Sequence, residues 1–238
     1  MPPTSTDETN MSARPPMQHL EIPIDLACST VLPFEMQPIV QIADGKVAAY
    51  ELLYRGPAPA NWAVVDTAVI QFLSVPRPDL PSLFVNLSND VLMSLSVADF
   101  AKAAAANELT FELSEAISGY AERTAIAERA NEIIASGTRM ALDDFGAGRD
   151  GLERLYAIGS VSAVKIDRQF LLTCMQRPDA TRVLRMLVAQ WRCEGVKSIA
   201  EGVGDKAMYA FAKELEVDLV QGWFVDHVVA SNRSFSEA

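Results

Sequence analysis

Short apolar runs alternate with longer amphipathic segments along most of the chain. The longer segments have a helical period: in residues 180–191, for example, Val183, Leu184, Leu187 and Val188 fall on one face. The short runs have the length of buried strands, and they cover residues 83–87, 109–113, 138–142, 163–166, 196–200 and 219–224. Alternating strands and helices predict a parallel sheet with helices outside, and six or more such units favour a closed barrel.

The segment before these units predicts a different pair of strands. The sequence FEMQPIVQIADGKVAAYELLYRG contains two strand-like runs joined by a turn at Asp44 and Gly45. Residues 1–30 are instead rich in Pro, Ser, Thr and acidic side chains, which is typical of a flexible tail. We therefore expect a flexible N-terminal tail over 1–30 and a single α/β barrel domain over 31–238.

Composition narrows the classes of function. The chain has 238 residues and a formal net charge of −11, which disfavours a protein that binds a nucleic-acid polymer through a basic surface. Its three cysteines, Cys28, Cys174 and Cys193, are scattered and suit a reducing compartment. No apolar run reaches the ~18 residues needed for membrane insertion, and the N-terminus lacks the apolar segment of a signal peptide. We therefore expect a cytoplasmic protein.

Polar side chains recur where the predicted strands end. They are Glu51, Asn86, Glu112, Asp143 with Asp144, Lys165 with Asp167, Glu201, and Gln221. A single acid at a strand end is usually a solvated loop residue or a helix N-cap, but a series over seven strands is harder to explain in that way. In a barrel these ends converge on one rim, where active sites lie.

Residue type indicates what such a rim would bind. Glu51, Asn86, Glu112, Asp143 and Asp144 offer oxygen ligands, and carboxylates held close together repel one another unless a cation neutralises them. Ligand sets made only of oxygen favour Mg²⁺ or Mn²⁺ over zinc. Two adjacent aspartates can bridge two metal ions ~3.5–4 Å apart, an arrangement used for displacement at phosphorus.

The stretch MALDDFGAGRDG permits a second interpretation, because from Gly146 it matches the dinucleotide-binding pattern G-x-G-x-x-G. That pattern requires bare backbone at a helix N-terminus to meet a pyrophosphate, and the carboxylates of Asp143 and Asp144 oppose it. The metal interpretation has its own requirement. Consecutive strand residues point to opposite faces, so these two aspartates can share a site only if the strand ends there, which Gly146 and Gly148 permit.

The ordered set of motifs resembles the EAL family of cyclic di-GMP phosphodiesterases. The resemblance covers roughly residues 34–224, and it is specific because many separate motifs occur in the same order. The matching motifs are QPIV with Gln37, YELLYR with Glu51 and Arg55, VNLS with Asn86, FELSE with Glu112 and Glu115, LDDFGAG with Asp143 and Asp144, VKID with Lys165 and Asp167, AEGV with Glu201, and QGW with Gln221.

The resemblance implies a modified TIM (β/α)8 barrel of EAL type that hydrolyses cyclic di-GMP to linear pGpG with two Mg²⁺ or Mn²⁺ ions. It implies metal ligation by Glu51, Asn86, Glu112, Asp143, Asp144 and Asp167. It assigns catalytic roles to Lys165, which would orient the attacking water, and to Glu201 and Glu51, with Glu115 steadying the loop after the aspartates. It assigns substrate contacts to Gln37, Arg55 and Gln221.

Departures from the family pattern keep a second function open. Only 35 positions separate Glu51 from Asn86, which indicates a shortened lobe after the signature motif, and Leu52 and Ala147 replace the usual alanine and threonine. The alternative is a non-catalytic EAL-type sensor of cyclic di-GMP or a regulator that binds a protein partner. The family also gives an expectation of a homodimer.

Overall fold

The eight central strands of the protein close into a barrel. The structure, a computed structural model, describes residues 17–24, 30–113, 120–148 and 151–235. The barrel strands are β2 (Val31–Gln41), β3 (Val47–Tyr54), β4 (Leu83–Leu87), β5 (Leu109–Leu113), β6 (Arg139–Phe145), β7 (Ala163–Ile166), β8 (Lys197–Ala200) and β9 (Leu219–Val220). Neighbouring strands from β3 to β9 are parallel, whereas β2 is antiparallel to both β3 and β9 and thereby closes the barrel. The predicted closed α/β barrel is confirmed.

Helices follow the strands and pack outside the sheet. They are α1 (Trp62–Leu73), α2 (Asn89–Ser94), α3 (Val97–Ala106), α4 (Tyr120–Ala135), α5 (Gly151–Ala157), α6 (Arg168–Gln176), α7 (Pro178–Cys193), α8 (Lys206–Glu214) and α9 (Trp223–Ala230). Several begin at a polar side chain that accepts a backbone N–H bond, as at Asn61, Ser96 and Asp205. No helix among the described residues is long and apolar enough to cross a membrane.

An additional strand, β1 (Gln18–Pro23), pairs antiparallel with β2 outside the barrel. It lies inside the segment 1–30 that composition predicts to be a flexible tail, so the prediction is wrong for these six residues. The strand buries Ile22 fully, Leu20 packs against the same core, and the backbone of the strand pairs with the free edge of β2. Residues 1–16 lie outside the described part of the chain.

Two further boundaries differ from the sequence prediction. Strand β3 continues three residues beyond Glu51 to Tyr54, because its antiparallel pairing with β2 extends to Phe34. The last predicted strand, 219–224, ends at Val220, and α9 begins at Trp223. Gly222 makes this change of direction possible, because its φ of 145° lies in the region that favours glycine and a Cβ there would collide with the backbone of Val203.

The barrel has separate apolar layers inside and outside the sheet. The outer layer packs the sheet against the helices and contains most of the buried apolar side chains, such as Phe111 and Trp191. The inner layer is a small cluster formed by Ile39, Ala49, Phe84, Ala141, Ala163 and Ile199, with Leu219 packed against it. The strands therefore bury both faces, as expected for a parallel barrel.

Candidate active site

A polar layer lies directly above the inner apolar layer of the barrel. Every one of its members stands two residues along its strand from an apolar or small interior residue: Gln37 from Ile39, Glu51 from Ala49, Asn86 from Phe84, Glu112 from Thr110, Asp143 from Ala141, Lys165 from Ala163, Glu201 from Ile199, and Gln221 from Leu219. Because side chains alternate between the faces of a strand, a spacing of two keeps each polar group on the interior face. These side chains therefore lie together at one mouth of the barrel.

The ammonium group of Lys165 lies at the centre of this layer. Its Nζ atom is 2.7 Å from Glu112 Oε1, 2.8 Å from Glu201 Oε1, 3.2 Å from Asp143 Oδ1 and 3.3 Å from Glu51 Oε2. The side chain is 1% exposed, so water screens these contacts little. Burial alone would disfavour the charged form, but the charges of Glu112 and then Glu51 raise the pKa of Lys165 well above its ordinary value. Lys165 therefore remains an ammonium ion.

One positive charge among four carboxylates leaves three negative charges unbalanced if all four ionise, and hydrogen-bond donors decide which acid remains ionised. Glu51 accepts bonds from Asn86 Nδ2 at 2.8 Å and from Gln221 Nε2 at 2.5 Å. Burial acts to raise the pKa of Glu51, but the Lys165 charge and these two donors together lower the pKa below its ordinary value. Glu51 is therefore the carboxylate that the site holds ionised.

Glu112 is in the opposite situation. Its side chain is fully buried and, apart from the contact with Lys165, neither carboxylate oxygen has a hydrogen-bond partner among the described residues. Burial and the charge of Glu51 raise the pKa of Glu112 well above its usual range. Asp143 Oδ1 likewise has no described partner other than Lys165. Buried oxygens without donors carry a desolvation cost that a bound cation would remove.

Asp143 and Asp144 share the mouth of the barrel through an irregularity in β6. The pairing of β6 with β7 shifts register between Leu142 and Phe145, and Asp144 has a φ of 55°, in the left-handed region. Aspartate adopts this region more readily than most side chains. We expected the strand to end at the aspartates; it instead bulges at them and continues to Phe145. The next residue, Gly146, packs closely against the ring of Phe170. A Cβ at this position would collide with that ring.

Three carboxylates lie close enough to hold a cation. One oxygen each from Asp143, Asp144 and Glu201 lies within 4.8 Å of the others. Burial and the neighbouring charge of Asp143 raise the pKa of Asp144, and burial with the same neighbour raises the pKa of Glu201 to about 8, although Lys165 opposes the second shift. Such raised pKa values are expected where acids converge without enough cation between them. The residues present thus fit the oxygen-rich site of a divalent metal.

Other predicted site residues have different surroundings. Asp167 caps α6 by accepting the Phe170 N–H bond at 2.9 Å, and Arg55 Nε bonds Glu35 Oε2 at 2.6 Å outside the central cluster. Gln37 and Gln221 are both buried and bond each other at 3.0 Å. Glu115 lies outside the described residues.

Two buried charged residues contact the site but were not predicted from the sequence. Arg154 of α5 donates Nη2 bonds to the carbonyl oxygens of Leu113 and Asp143, and thereby links the ends of β5 and β6. Asp226 of α9 accepts a bond from Gln37 Nε2 at 2.8 Å. For Asp226 the available signal was an acid within the largely apolar helix WFVDHVVA, whereas Arg154 follows Glu153 in GLERLYA and gives no such signal.

Comparison with known proteins decides the family. The family model described as "EAL domain" matches residues 61–227, which is 167 of the 238 residues. The chain belongs to the EAL domain family. The match begins ten residues after Glu51, so Gln37, Glu51 and Arg55 lie outside it.

Curated relatives are larger proteins. The oxygen sensor protein DosP of Escherichia coli is 28% identical over 151 residues, which cover 61% of this chain and 19% of DosP. The cyclic di-GMP phosphodiesterase NbdA of Pseudomonas aeruginosa is 28% identical over 225 residues, which cover 81% of this chain and 28% of NbdA. The chain therefore spans less than a third of the length of either relative.

Solved EAL structures share the fold. A standalone EAL protein from Vibrio cholerae in its c-di-GMP-bound form aligns with a TM-score of 0.66 at 20% identity and covers 83% of this chain and 92% of that one. The Klebsiella pneumoniae BlrP1 manganese and cy-diGMP complex aligns with a TM-score of 0.67 at 20% identity and covers 91% of this chain and 60% of that one. These likenesses confirm the barrel architecture.

Replacing Lys165 with methionine should destabilise the metal-free protein by about 3–5 kcal/mol, because four buried carboxylates lose their shared cation. The free energy of unfolding, measured in urea with EDTA, tests this. Lys197→Met is the matched control, since Lys197 pairs with Asp218 at 3.1 Å on the exposed N-terminal side of β8, and we expect its loss to cost less than about 1 kcal/mol. Equal losses in the two variants would contradict the central role of Lys165.

The stability of the metal-free protein should fall as the pH rises from about 5 to about 8. The pKa of Glu201 is about 8 in the folded protein against an ordinary value of 4.5, so the folded state binds more protons throughout this window and loses that advantage as the pH rises. The contribution is at most about 1.4 kcal/mol per pH unit. Urea unfolding in EDTA at several pH values should give a shallower slope for Glu201→Gln, and an unchanged slope would refute the assignment.

Proposed function

We propose that the protein is a metal-dependent phosphodiesterase that hydrolyses cyclic di-GMP to linear pGpG. The observation that carries this proposal is the gathering of four carboxylates around the Lys165 ammonium group at the mouth of the barrel, with Asp144 beside two of them. Membership of the EAL domain family supports the substrate class, and several relatives are named as cyclic di-GMP phosphodiesterases.

The negative charges of the site and of the substrate explain why the proposed reaction requires cations. Cyclic di-GMP carries a negative charge on each of its phosphodiester groups, and the site has an excess of carboxylates over basic groups. A phosphate placed against Glu51 and Asp143 alone would be repelled. The same mouth becomes attractive to an anion only when divalent cations neutralise the acids.

We assign the cations to the oxygen donors of the cluster. Glu51, Asn86, Glu112 and Asp143 would hold one Mg²⁺ or Mn²⁺, and Asp143, Asp144 and Asp167 the other. When bound, the two cations would neutralise charge on the phosphate. They would also lower the pKa of a bound water, so that it can act as a nucleophile at neutral pH. The buried oxygens of Glu112 and Asp143 Oδ1, which have no hydrogen-bond partner besides Lys165 among the described residues, support this assignment.

Lys165 and Glu201 would orient and deprotonate the attacking water. Because Lys165 stays protonated, it donates hydrogen bonds and would orient the water oxygen, but it would not remove a proton. Glu201 lies 2.8 Å from Lys165 Nζ, and a carboxyl group with a pKa near neutrality is suited to accept a proton. The two residues would thus divide orientation and proton transfer between them.

Arg55 would contact a substrate phosphate. Its Nε–H is already donated to Glu35 at 2.6 Å, and this bond fixes the direction of the guanidinium group. The terminal nitrogens are then the groups that would meet a phosphate oxygen, a partner for which arginine geometry is well suited. Gln37 and Gln221 would border the same substrate.

The proposal is tested by incubating purified protein and cyclic di-GMP with Mg²⁺ or Mn²⁺ and separating the products by chromatography. We expect pGpG from the wild type, and a fall in kcat of at least about 100-fold in Glu112→Gln, because a metal ligand is lost. Glu128→Gln is the matched control, since Glu128 is an exposed acid on α4 and should leave turnover unchanged.

Calorimetric titration of the same samples with cyclic di-GMP separates the two candidate functions. Binding with no pGpG under either metal would overturn the phosphodiesterase proposal in favour of a cyclic di-GMP sensor or a regulator of a protein partner.

A further inference from the structure

A chain of buried hydrogen bonds connects α9 to the central carboxylate cluster. Asp226 Oδ2 accepts from Gln37 Nε2 at 2.8 Å, Gln37 Oε1 accepts from Gln221 Nε2 at 3.0 Å, and Gln221 Nε2 also donates to Glu51 Oε2 at 2.5 Å. All four side chains are buried, and Asp226 is 1% exposed. We infer that Asp226 is a positioning residue that fixes the orientation of Glu51 through Gln37 and Gln221.

The direction of this chain follows from the chemistry of its first member. Asp226 Oδ2 is the acceptor in this contact, so the amide of Gln37 turns its NH₂ group toward Asp226. The carbonyl oxygen of Gln37 then faces Gln221 and accepts a hydrogen bond from the Gln221 NH₂ group. That same NH₂ group has its second hydrogen available for Glu51. Asp226 at one end of the chain and Glu51 at the other therefore favour the same orientation of the two amides.

The reversed orientation would damage the site. If Gln37 turned over, its NH₂ group would face the NH₂ group of Gln221, and Gln221 would turn in response. The carbonyl oxygen of Gln221 would then lie against Glu51 Oε2, the oxygen that also contacts Lys165 at 3.3 Å. Two acceptors at hydrogen-bond distance repel, so Glu51 would have to move away from its place beside Lys165.

Packing alone does not explain an acid at position 226. The neighbouring residues Phe224, Val225 and Val228 already bury α9 against the barrel, and an apolar side chain at position 226 would avoid the cost of burying a charge. The Asp226 carboxylate accepts the Gln37 amide, and this contact leads through Gln221 to Glu51. The role in catalysis rests on the proposed function, whereas the role in orientation does not.

The experiment compares Asp226→Ala with the wild type by nuclear magnetic resonance in EDTA, so that neither metal nor turnover enters the first readout. The Gln221 side-chain amide signal is identified by its absence from the spectrum of Gln221→Ala. We expect this signal to shift and broaden in Asp226→Ala. Asp218→Ala is the matched control, because Asp218 also accepts a side-chain bond, from Ser198, but lies at the opposite end of the barrel.

The second readout is the Mn²⁺ affinity measured by calorimetry. We expect a loss of 10- to 100-fold in Asp226→Ala, the size that outer hydrogen-bond partners of metal ligands contribute. In a Gln221→Ala background, the additional loss from Asp226→Ala should be less than about 3-fold, since both changes interrupt one chain. Asp226→Asn, which keeps the shape and one acceptor, should restore part of the affinity.

An unchanged Gln221 signal in Asp226→Ala would overturn the inference, even if the enzyme were active. So would losses of Mn²⁺ affinity that multiply fully in the double variant, because Asp226 would then act independently of Gln221. A protein that releases no pGpG but shows the Gln221 shift would refute the proposed function and leave the positioning role supported.

Discussion

The site depends on one interaction, the contact of the Lys165 ammonium group with four carboxylates from four different strands. In water, each such pair is worth little, but Lys165 is only 1% exposed, its charge is poorly screened, and its removal would leave the buried acids without their shared cation. Lys165 thus allows the acids to remain close together before any cation binds. Because one positive charge is not enough for all four, the cluster retains affinity for further cations.

The geometry of the barrel makes this gathering possible. Parallel strands end at the same rim, and a spacing of two residues separates the apolar interior layer from the polar layer on every strand that contributes to the site. The small residues Ala49, Ala141 and Ala163 sit below Glu51, Asp143 and Lys165. Alternation of side chains along each strand therefore places residues that are more than a hundred positions apart in the sequence at one site.

Much of this organisation could be predicted from the sequence, because the signals are local. The strands 83–87, 109–113 and 163–166 agree with the structure to the residue, since each is a short apolar run bounded by polar residues. The polar residues at positions 86, 112, 165, 201 and 221 lie within those short runs or directly after them, and the structure brings them together. Order along the chain was sufficient because the barrel closes in chain order.

The remaining features depend on contacts that no local pattern encodes. The bulge that brings Asp143 and Asp144 to one mouth needs a left-handed backbone at Asp144, and the alternation rule instead predicted the end of the strand. Strand β1 forms only because the edge of β2 is available, although its composition is that of a tail. Asp226 reaches the site through two glutamines from opposite ends of the sequence, a relation visible only after folding.

The most direct measurement of the central claim is the anomalous scattering of Mn²⁺ in crystals of the wild-type protein. If these carboxylates bind the cations together, we expect two strong anomalous peaks between Glu112, Asp143 and Asp144. Lys165 should still contact Glu201. A well-ordered barrel that carries no Mn²⁺ among these carboxylates, at concentrations that saturate ordinary metal sites, would contradict the account.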